Sequence, residues 1–529
     1  MIQKPNFHKK LYFYLLLLLA ASLPLSIFAA TVFQILLVLN WLIEGDFPEK
    51  WRKLKTNYGF WVYVGFYAIH IIGMLWSEDM MFGLKDLKVK LPLLLLPLLV
   101  VTSGSPSIKE LKYILVAFIG GNIIASFAVV MALTNIIPVE INEYRNASIF
   151  ISHIRFSLMI VFSIAFAFYL EFLDRDRLPT GYRYLLLFSI TWLPVFLVIL
   201  RSLSGIVILI LLVLFISFLL VRTVQDRVGR FMLTVFIVFI PLFAIFYTGN
   251  AIKKFYTIEI VDPEYIDSVS IEGNRYVNIL DNKEVENGNY VWLHVCPDEM
   301  EREWARMSNY PYKGKSDNGN FIRFTLIRYM TSKGLRKDAI GMAQLDSDDI
   351  AAIEKGIANY IYLKRFSLYP RIYEVIWELD RYKLGYSPND KSLVQRYFYL
   401  KAGFSIAKDN FLTGVGTGDV RKSFDEYYDQ IDSPLRHERR RRTHNQYLTL
   451  FITFGLLGGI LCVASLIIPV FMKRRWGSYM TVVLFFTMSL SMLNEDTLET
   501  TSGAVLFSLF YALFVFGPDW PWKPVSSKQ

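Results

Sequence analysis

The chain has 529 residues, a formal net charge of +10 and a hydrophobic content of 54%. Its mean hydropathy is +0.37. Several apolar runs reach ~17–25 residues, the length that a helix needs to cross a bilayer, which excludes a soluble protein. The positive charge suits contact with anionic lipid headgroups and requires no nucleic-acid partner.

The hydropathy pattern predicts about twelve membrane-spanning helices. They cover residues 11–28, 30–44, 58–76, 90–103, 112–134, 155–172, 184–200, 205–221, 231–248, 445–471, 478–494 and 501–517. The first of them follows Lys9 and Lys10 without a small-residue cleavage site, so we expect it to be retained rather than removed as a signal peptide. The predicted fold class is therefore mainly α, a polytopic membrane helical bundle.

Basic residues orient this bundle. Lysine and arginine cluster on one side if the spans alternate, and that side is expected to be the cytoplasm. The clusters are Lys9/Lys10, 50–55, Arg175/Arg177/Arg183, Arg222/Arg227/Arg230 and 473–475. We predict three parts: spans 1–9 in 1–248, a large periplasmic α+β insert at 249–444, and spans 10–12 with a cytoplasmic tail in 445–529. Lys85, Lys88 and Lys90 then face outward, either as snorkelling lysines of an interfacial helix or as a cationic lip for a lipid-linked phosphate.

The periplasmic insert changes character along its length. Polar and apolar residues alternate in 255–261 and 290–295, and Asn287-Gly288 is typical of a hairpin turn, so 253–296 is predicted to be β-rich. Helical periodicity dominates 320–432, with helices expected from about Asn320, near Ser347, and over 370–383 and 391–408. Such an insert indicates a binding or positioning module, or a scaffold that packs over the bundle.

The most unusual stretch is the junction of this insert with the tenth span. Five arginines lie within 436–442, and His444-Asn445 follows where polar loop becomes apolar helix. Clustered arginines favour a multiply charged anion, and Arg436 and Arg439 are candidate binding residues together with Asn445. His444 has the side chain of a general base near neutral pH, although a single histidine at a helix start is often structural.

Further candidates lie elsewhere on the predicted outer side. Arg201 precedes a tight Ser202–Gly205 turn between two apolar runs, where it is either a snorkelling or a functional charge. Arg155 begins the sixth span. The acids Glu495, Asp496 and Glu499 in the last outer loop orient a base, bind a cation, or are simply solvated. Gly414, Gly416 and Gly418 lack the lysine of a phosphate-binding loop and are better explained as a turn.

These motifs resemble those of the O-antigen ligase and polymerase family of membrane glycosyltransferases. His444-Asn445, nine residues, then Gly455-Leu456-Leu457-Gly458 is similar to a signature of that family. Arg396-Tyr397-Phe398-Tyr399-Leu400 resembles its Arg-x3-Leu element, and Arg201-Ser202-x-Ser204-Gly205 its arginine- and serine-rich membrane turn. The resemblance covers about 150–515, without most of 250–390, where the insert departs from the family.

The resemblance implies a glycan donor carried on undecaprenyl pyrophosphate and a lipid-anchored, protein or glycan acceptor. It implies that His444 deprotonates or positions an acceptor hydroxyl, that Arg201 and Arg396 act with it on the departing pyrophosphate, and that the anomeric centre is inverted. No cofactor is expected. The six scattered histidines show no metal-ligand spacing, so a metal-independent reaction is expected.

Three functions remain open at the level of sequence. A ligase and a polymerase differ in the acceptor, since a polymerase extends another lipid-linked repeat. A transporter or flippase would use the same arginines to guide an anionic lipid. However, the chain has no evident inverted repeat, which disfavours transport. The residues do not identify the glycan, the acceptor, the oligomeric state or the role of the insert.

Overall fold

The structure is a computed structural model of the chain. It describes residues 4–134, 136–137, 148–174, 176–279, 281–364 and 367–520, with side chains from Phe7 onward. Arg175 of the predicted inner charges and the end of the predicted cytoplasmic tail, 521–529, lie outside the described residues.

A helix lies at each of the twelve predicted spans. The first nine correspond to α1 (Lys4–Ser22), α2 (Ile27–Glu44), α4 (Tyr58–Ile72), α5 (Met80–Ser103), α6 (Ile108–Leu133), α7 (His153–Phe168), α8 (Thr180–Ile199), α9 (Leu203–Val221) and α10 (Arg227–Tyr256), with a short α3 (Phe47–Lys55) after α2. The last three correspond to α18 (Gln446–Met472), α19 (Tyr479–Asn494) and α20 (Thr501–Tyr511). Eight of the described helices are long and apolar enough to cross a membrane by length and composition. The chain is thus a mainly helical, multi-pass membrane protein, and the number of twelve spans stays a prediction.

The remaining helices lie between α10 and α18. They are α11 (Pro297–Met307), α12 (Ile322–Ser332), α13 (Ala339–Met342), α14 (Ser347–Glu354), α15 (Tyr369–Lys383), α16 (Ser392–Asp409) and α17 (Val420–Gln430). The four helices predicted in this region are all present. Asp346 and Asp349 form a reciprocal capping box that starts α14, which explains the negative charge at that boundary.

The predicted β-rich segment has little regular β-structure. Its start belongs to α10, and its strands are only β1 (Val285–Glu286) and β2 (Asn289–Tyr290). They pair antiparallel across Asn287-Gly288, where both residues have positive φ, as a type I′ turn requires. The turn prediction is therefore confirmed. The longer strands are wrong, because Phe255 is buried from the last turn of a helix rather than from a sheet face.

The chain forms two compact units. The first, the membrane unit, comprises Met1–Val238 and Arg381–Gln529, and the second, the inserted unit, comprises Phe239–Asp380. Residues 381–444 therefore fold with the spans, rather than with the predicted 249–444 domain. The inserted unit has its own apolar core around Trp304, Tyr329 and Met330.

The core of the membrane unit is centred on α7. Among the described helices that are long and apolar enough to cross a membrane, the segment His153–Leu173, which begins with α7, is the most deeply buried. Gly205 lies against it, since a Cβ at this position would come within 2.6 Å of Ser157 Cβ. Because Gly205 has no side chain, the start of α9 can approach α7 closely at Ser157, two residues after Arg155.

Candidate active site

His444 is held in an unusual backbone conformation at the start of α18. Its φ of +52° is left-handed, which is uncommon for a residue with a Cβ and is often found at functional sites. The next residue, Asn445, caps the helix by accepting a hydrogen bond from the Leu448 amide at 3.0 Å. A carboxylate oxygen of Asp496 accepts the His444 amide at 3.2 Å. The main chain around the candidate base is therefore fixed from both sides.

The imidazole of His444 faces the carboxylate of Glu495. His444 Nδ1 lies 3.4 Å from Glu495 Oε2, and the ring packs beside Tyr399 with 5.4 Å between centroids. An ionised carboxylate only accepts hydrogen bonds, so Nδ1 carries the proton and Nε2 is the nitrogen that can accept one. This is the arrangement of a histidine base oriented by an acid.

The charge of Glu495 is secured by its neighbours. Burial alone raises the pKa of a carboxyl group, but the hydrogen bond with His444 and the charges of Arg396 and Arg155 outweigh it and lower the pKa of Glu495 to about 2. Glu495 is thus ionised at any pH near neutrality. Of the three alternatives for the acids of this loop, the contact of Glu495 with His444 favours orientation of a base, and this role stays a prediction.

Two predicted arginines meet at the same carboxylate. Arg396 Nη2 lies 2.5 Å from Glu495 Oε1, while its Nη1 donates to the carbonyl and the side chain of Asn494, both at 2.6 Å. Arg155 Nη2 lies 3.6 Å from Glu495 Oε2. Their side chains remain 24% and 16% exposed. Guanidinium groups form strong paired hydrogen bonds with phosphate oxygens, so Arg396 and Arg155 are the candidates here for binding an anionic ligand.

The turn that follows Arg201 contacts the end of α19. Its φ is +53°, and Ser202 caps α9 by accepting the Gly205 amide at 3.3 Å. Ser204 Oγ accepts a hydrogen bond from Asn494 Nδ2 at 3.2 Å. Because Asn494 also binds Arg396, the Arg201 turn and α16 are joined at the end of α19. Arg201 and His444, two of the predicted catalytic residues, both have left-handed backbones.

The other predicted binding residues have different surroundings. Arg436 and Arg439 both pair with Asp390, and their side chains are 60% and 48% exposed. Asn445 uses its amide nitrogen on the Leu493 carbonyl at 3.0 Å, in addition to its capping bond. Asn445 therefore positions the turn at His444. Arg436 and Arg439 pair with Asp390 and not with Glu495.

A buried ion cluster includes Arg442, the last arginine before His444. Lys90 is 1% exposed, and its Nζ lies 2.6 Å from Asp86 and 2.7 Å from Glu499. Glu499 also pairs with Arg442 at 3.1 Å and accepts a hydrogen bond from Gln446 at 2.9 Å. Lys90 is therefore neither a snorkelling lysine nor part of an exposed cationic lip, because its charge is neutralised in the core of the membrane unit. Lys85 and Lys88 are exposed.

The glycines of the family signature shape the helix that carries His444. Gly455 interrupts α18 with φ +66°, and a Cβ there would lie 2.2 Å from the Leu412 carbonyl oxygen. Around this break, the Val415 and Gly416 amides donate to carbonyls of α18, both at 2.9 Å. The segment Gly414–Gly418 thus packs against the break in α18, which agrees with a turn rather than a phosphate-binding loop.

Among the described residues, no group of three or more His, Cys, Asp or Glu side chains is arranged to hold a metal ion. The described part of the chain thus offers Glu495, Asp496 and Glu499 as partners of His444, arginine and lysine rather than as metal ligands. Metal independence of the reaction stays a prediction.

The comparison with protein families bears directly on this region. Residues 356–463 match the family model described as O-Antigen ligase. This match supports membership of the O-antigen ligase family. The matched segment contains Arg396, the Gly414–Gly418 segment, His444 and the glycines at the break in α18. No curated protein sequence matches the chain significantly.

The matched domain supports a general class for this protein. Together with the apolar helices, it indicates a multi-pass membrane glycosyltransferase of the O-antigen ligase or polymerase type, whose partners are in general lipid-linked glycans and polysaccharides. Arg155, Arg201 and Glu495 lie outside the matched residues. The sequence prediction missed Tyr399 and Asn494. Tyr399 lies inside the Arg-x3-Leu element, but no sequence signal identifies its contact with His444.

Proposed function

We propose that the protein transfers a glycan from undecaprenyl pyrophosphate to an acceptor hydroxyl on the periplasmic side of the inner membrane, as an O-antigen ligase. The observation that carries this proposal is the convergence of His444, Arg396 and Arg155 on the single carboxylate of Glu495. A base and an anion-binding pair therefore lie side by side, as required when a hydroxyl attacks a sugar that leaves a pyrophosphate.

In the proposed reaction, His444 Nε2 takes the proton of the acceptor hydroxyl as its oxygen bonds to the anomeric carbon. The bond between that carbon and the pyrophosphate oxygen breaks, and undecaprenyl pyrophosphate leaves with the electron pair. Glu495 stabilises the imidazolium that forms, as the acid of a catalytic triad does. Attack on the side opposite the leaving group inverts the anomeric centre.

The arginines act on the leaving group. Charge develops on the pyrophosphate oxygen as the bond breaks, and preorganised guanidinium groups stabilise that charge more than they stabilise the bound donor. Arg396 is fixed by Asn494 and Glu495, and Arg155 starts the central helix α7, so neither needs to reorganise during the reaction. Arg201 joins them from the turn that is bonded to Asn494.

The test is transfer by the purified full chain from a defined undecaprenyl-pyrophosphate oligosaccharide to candidate acceptors. His444→Ala, Arg201→Ala and Arg396→Ala are each expected to reduce transfer at least about 100-fold, the usual scale for loss of a general base or a charge-stabilising group. His437→Ala, which removes an exposed histidine seven positions earlier, is the matched control and should transfer normally. Normal transfer by correctly inserted His444→Ala and Arg201→Ala would disprove the proposal.

The acceptor decides between ligase and polymerase. A ligase moves the glycan to a lipid-anchored core or a protein, whereas a polymerase adds it to another lipid-linked repeat. The deletion strain separates them, because loss of a ligase leaves long lipid-linked polymer and loss of a polymerase leaves single repeats.

A further inference from the structure

The inserted unit begins within a helix that is long and apolar enough to cross the membrane. This helix, α10, carries no charge between Arg230 and Lys253, and no residue of its most apolar window is buried in the protein. From Arg230 to Lys253, at ~1.5 Å per residue, the helix extends about 35 Å. The hydrocarbon core of a bilayer is about 30 Å thick, and the bilayer with its headgroups about 40–45 Å. A bilayer centred on the uncharged segment therefore has Arg230 and Lys253 in its two headgroup layers.

The last turn of α10 holds part of the inserted unit at this level. Ala251 and Phe255 are buried there in an apolar cluster with Tyr373, and the rings of Phe255 and Tyr373 are 5.0 Å apart. Tyr360 and Tyr369 pack against the same cluster. Because this cluster forms around the end of α10, both tyrosines lie close to the level of the lipid headgroups.

Two lysines lie over these tyrosines. Lys254 Nζ is 5.0 Å from the ring centroid of Tyr369, and Lys364 Nζ is 5.5 Å from that of Tyr360. Both lysines are exposed, and the apolar residue Leu363 is 37% exposed. Tyrosine is enriched at membrane–water interfaces, and a lysine there keeps its ammonium group among the headgroups while its stem covers apolar surface. The residue types thus match the level at which they lie.

We propose that Lys254, Tyr360, Leu363, Lys364 and Tyr369 form an interfacial surface, by which the inserted unit lies on the membrane leaflet where α10 ends and binds the headgroups of anionic phospholipids. The tyrosine rings lie at the edge of the hydrocarbon, and the lysines bind the phosphates. The positive charge is complementary to these headgroups, whose negative potential attracts basic segments beside a spanning helix. This role is independent of glycan transfer.

The first test measures the position of Leu363 relative to the membrane. A nitroxide is attached to Leu363→Cys in the full chain, in nanodiscs of phosphatidylcholine and phosphatidylglycerol, and the native Cys296 and Cys462 stay in place because they are buried. Arg306→Cys, at an exposed position of the highly charged helix α11, is the reference for water.

We expect the label at position 363 to collide more often with oxygen, which dissolves in lipid, than with a water-soluble nickel chelate. The label at position 306 should show the opposite preference. A label at position 363 that collides mainly with the chelate would lie in water, and one that collides with neither reagent would be covered by protein. Either result would overturn the proposal.

The second test measures the contribution of the lysines. A fluorophore on Leu363→Cys reports binding of a short-chain phosphatidylglycerol to the full chain in uncharged detergent. A lysine near an anionic surface changes Kd about fivefold, so Lys254→Gln combined with Lys364→Gln should raise Kd about 25-fold. Lys315→Gln, which removes an exposed lysine elsewhere in the inserted unit, is the matched control and should leave Kd unchanged. An unchanged Kd in the double variant, or a response to an acidic oligosaccharide in place of the lipid, would overturn the proposal.

Discussion

Replacing Glu495 by glutamine is the most informative single change, because it keeps the shape of the side chain and removes its charge. The pKa of this carboxyl falls from 4.5 to about 2 in the folded protein, against the effect of burial. Since each tenfold change in an acid constant corresponds to about 1.4 kcal/mol, the net shift favours the ionised form by about 3 kcal/mol, which is what remains of the interactions with His444, Arg396 and Arg155 after the cost of burial. Through the same contacts, the carboxylate of Glu495 holds the imidazole of His444 and the guanidinium groups of Arg396 and Arg155 in place.

We expect Glu495→Gln to lower kcat for glycan transfer about 100-fold, because a neutral side chain no longer stabilises the imidazolium that forms when His444 takes the proton, and general-base catalysis contributes about 10²–10⁴-fold. The assay is the initial rate of transfer to the acceptor at saturating donor. Glu438→Gln, which neutralises an exposed glutamate close to His444 in the chain, is the control and should keep the normal rate. A Glu495→Gln protein that retains more than half of the normal kcat would refute the assignment of Glu495 as the partner of the base.

The same pKa predicts how acid affects stability. Folding lowers the pKa of Glu495, so its contribution is complete above a pH of about 4.5 and is lost as the pH falls towards about 2. Thermal unfolding of the unmodified protein should therefore become easier across this interval, and the Glu495→Gln protein should lack this part of the pH dependence. Equal pH dependence of the two proteins would show that the charge interactions at Glu495 do not stabilise the fold.

Two further changes test the supports of the site. Gly455→Ala should destabilise the protein by at least about 1–2 kcal/mol, since a left-handed backbone disfavours a Cβ and the Cβ would collide with a carbonyl oxygen. Gly120→Ala, where a Cβ meets open space, is the control. Equal midpoints of thermal unfolding for the two variants would contradict this explanation. Lys90→Met should cost about 3–5 kcal/mol because it leaves the buried carboxylates without their cation. Lys88→Met, at an exposed position, should change the free energy of unfolding by less than about 0.5 kcal/mol, and a similar small loss for Lys90→Met would contradict the role of the ion cluster.

Hydropathy located the helices because a backbone in hydrocarbon must satisfy its own hydrogen bonds, so apolar runs of sufficient length have one structure available. Sequence patterns predicted the structure of the inserted unit less well. There the alternating pattern at 255–261 predicted a strand, yet Phe255 is buried at the end of α10, and only the Asn287-Gly288 turn kept its predicted form. Alternation over a few residues does not reveal which neighbour buries them.

The sequence by itself determined His444 as the candidate base, Arg201 and Arg396 as its partners, and the glycines at the break in α18, because each lies in a local pattern. It also narrowed the acids of the 495–499 loop to three alternatives. Only the tertiary structure decided that Glu495 faces His444, Arg396 and Arg155, that Lys90 is buried in an ion cluster, and that Arg436 and Arg439 pair with Asp390. Charge partners up to hundreds of residues apart are set by how helices pack, and no local pattern of residues encodes that choice.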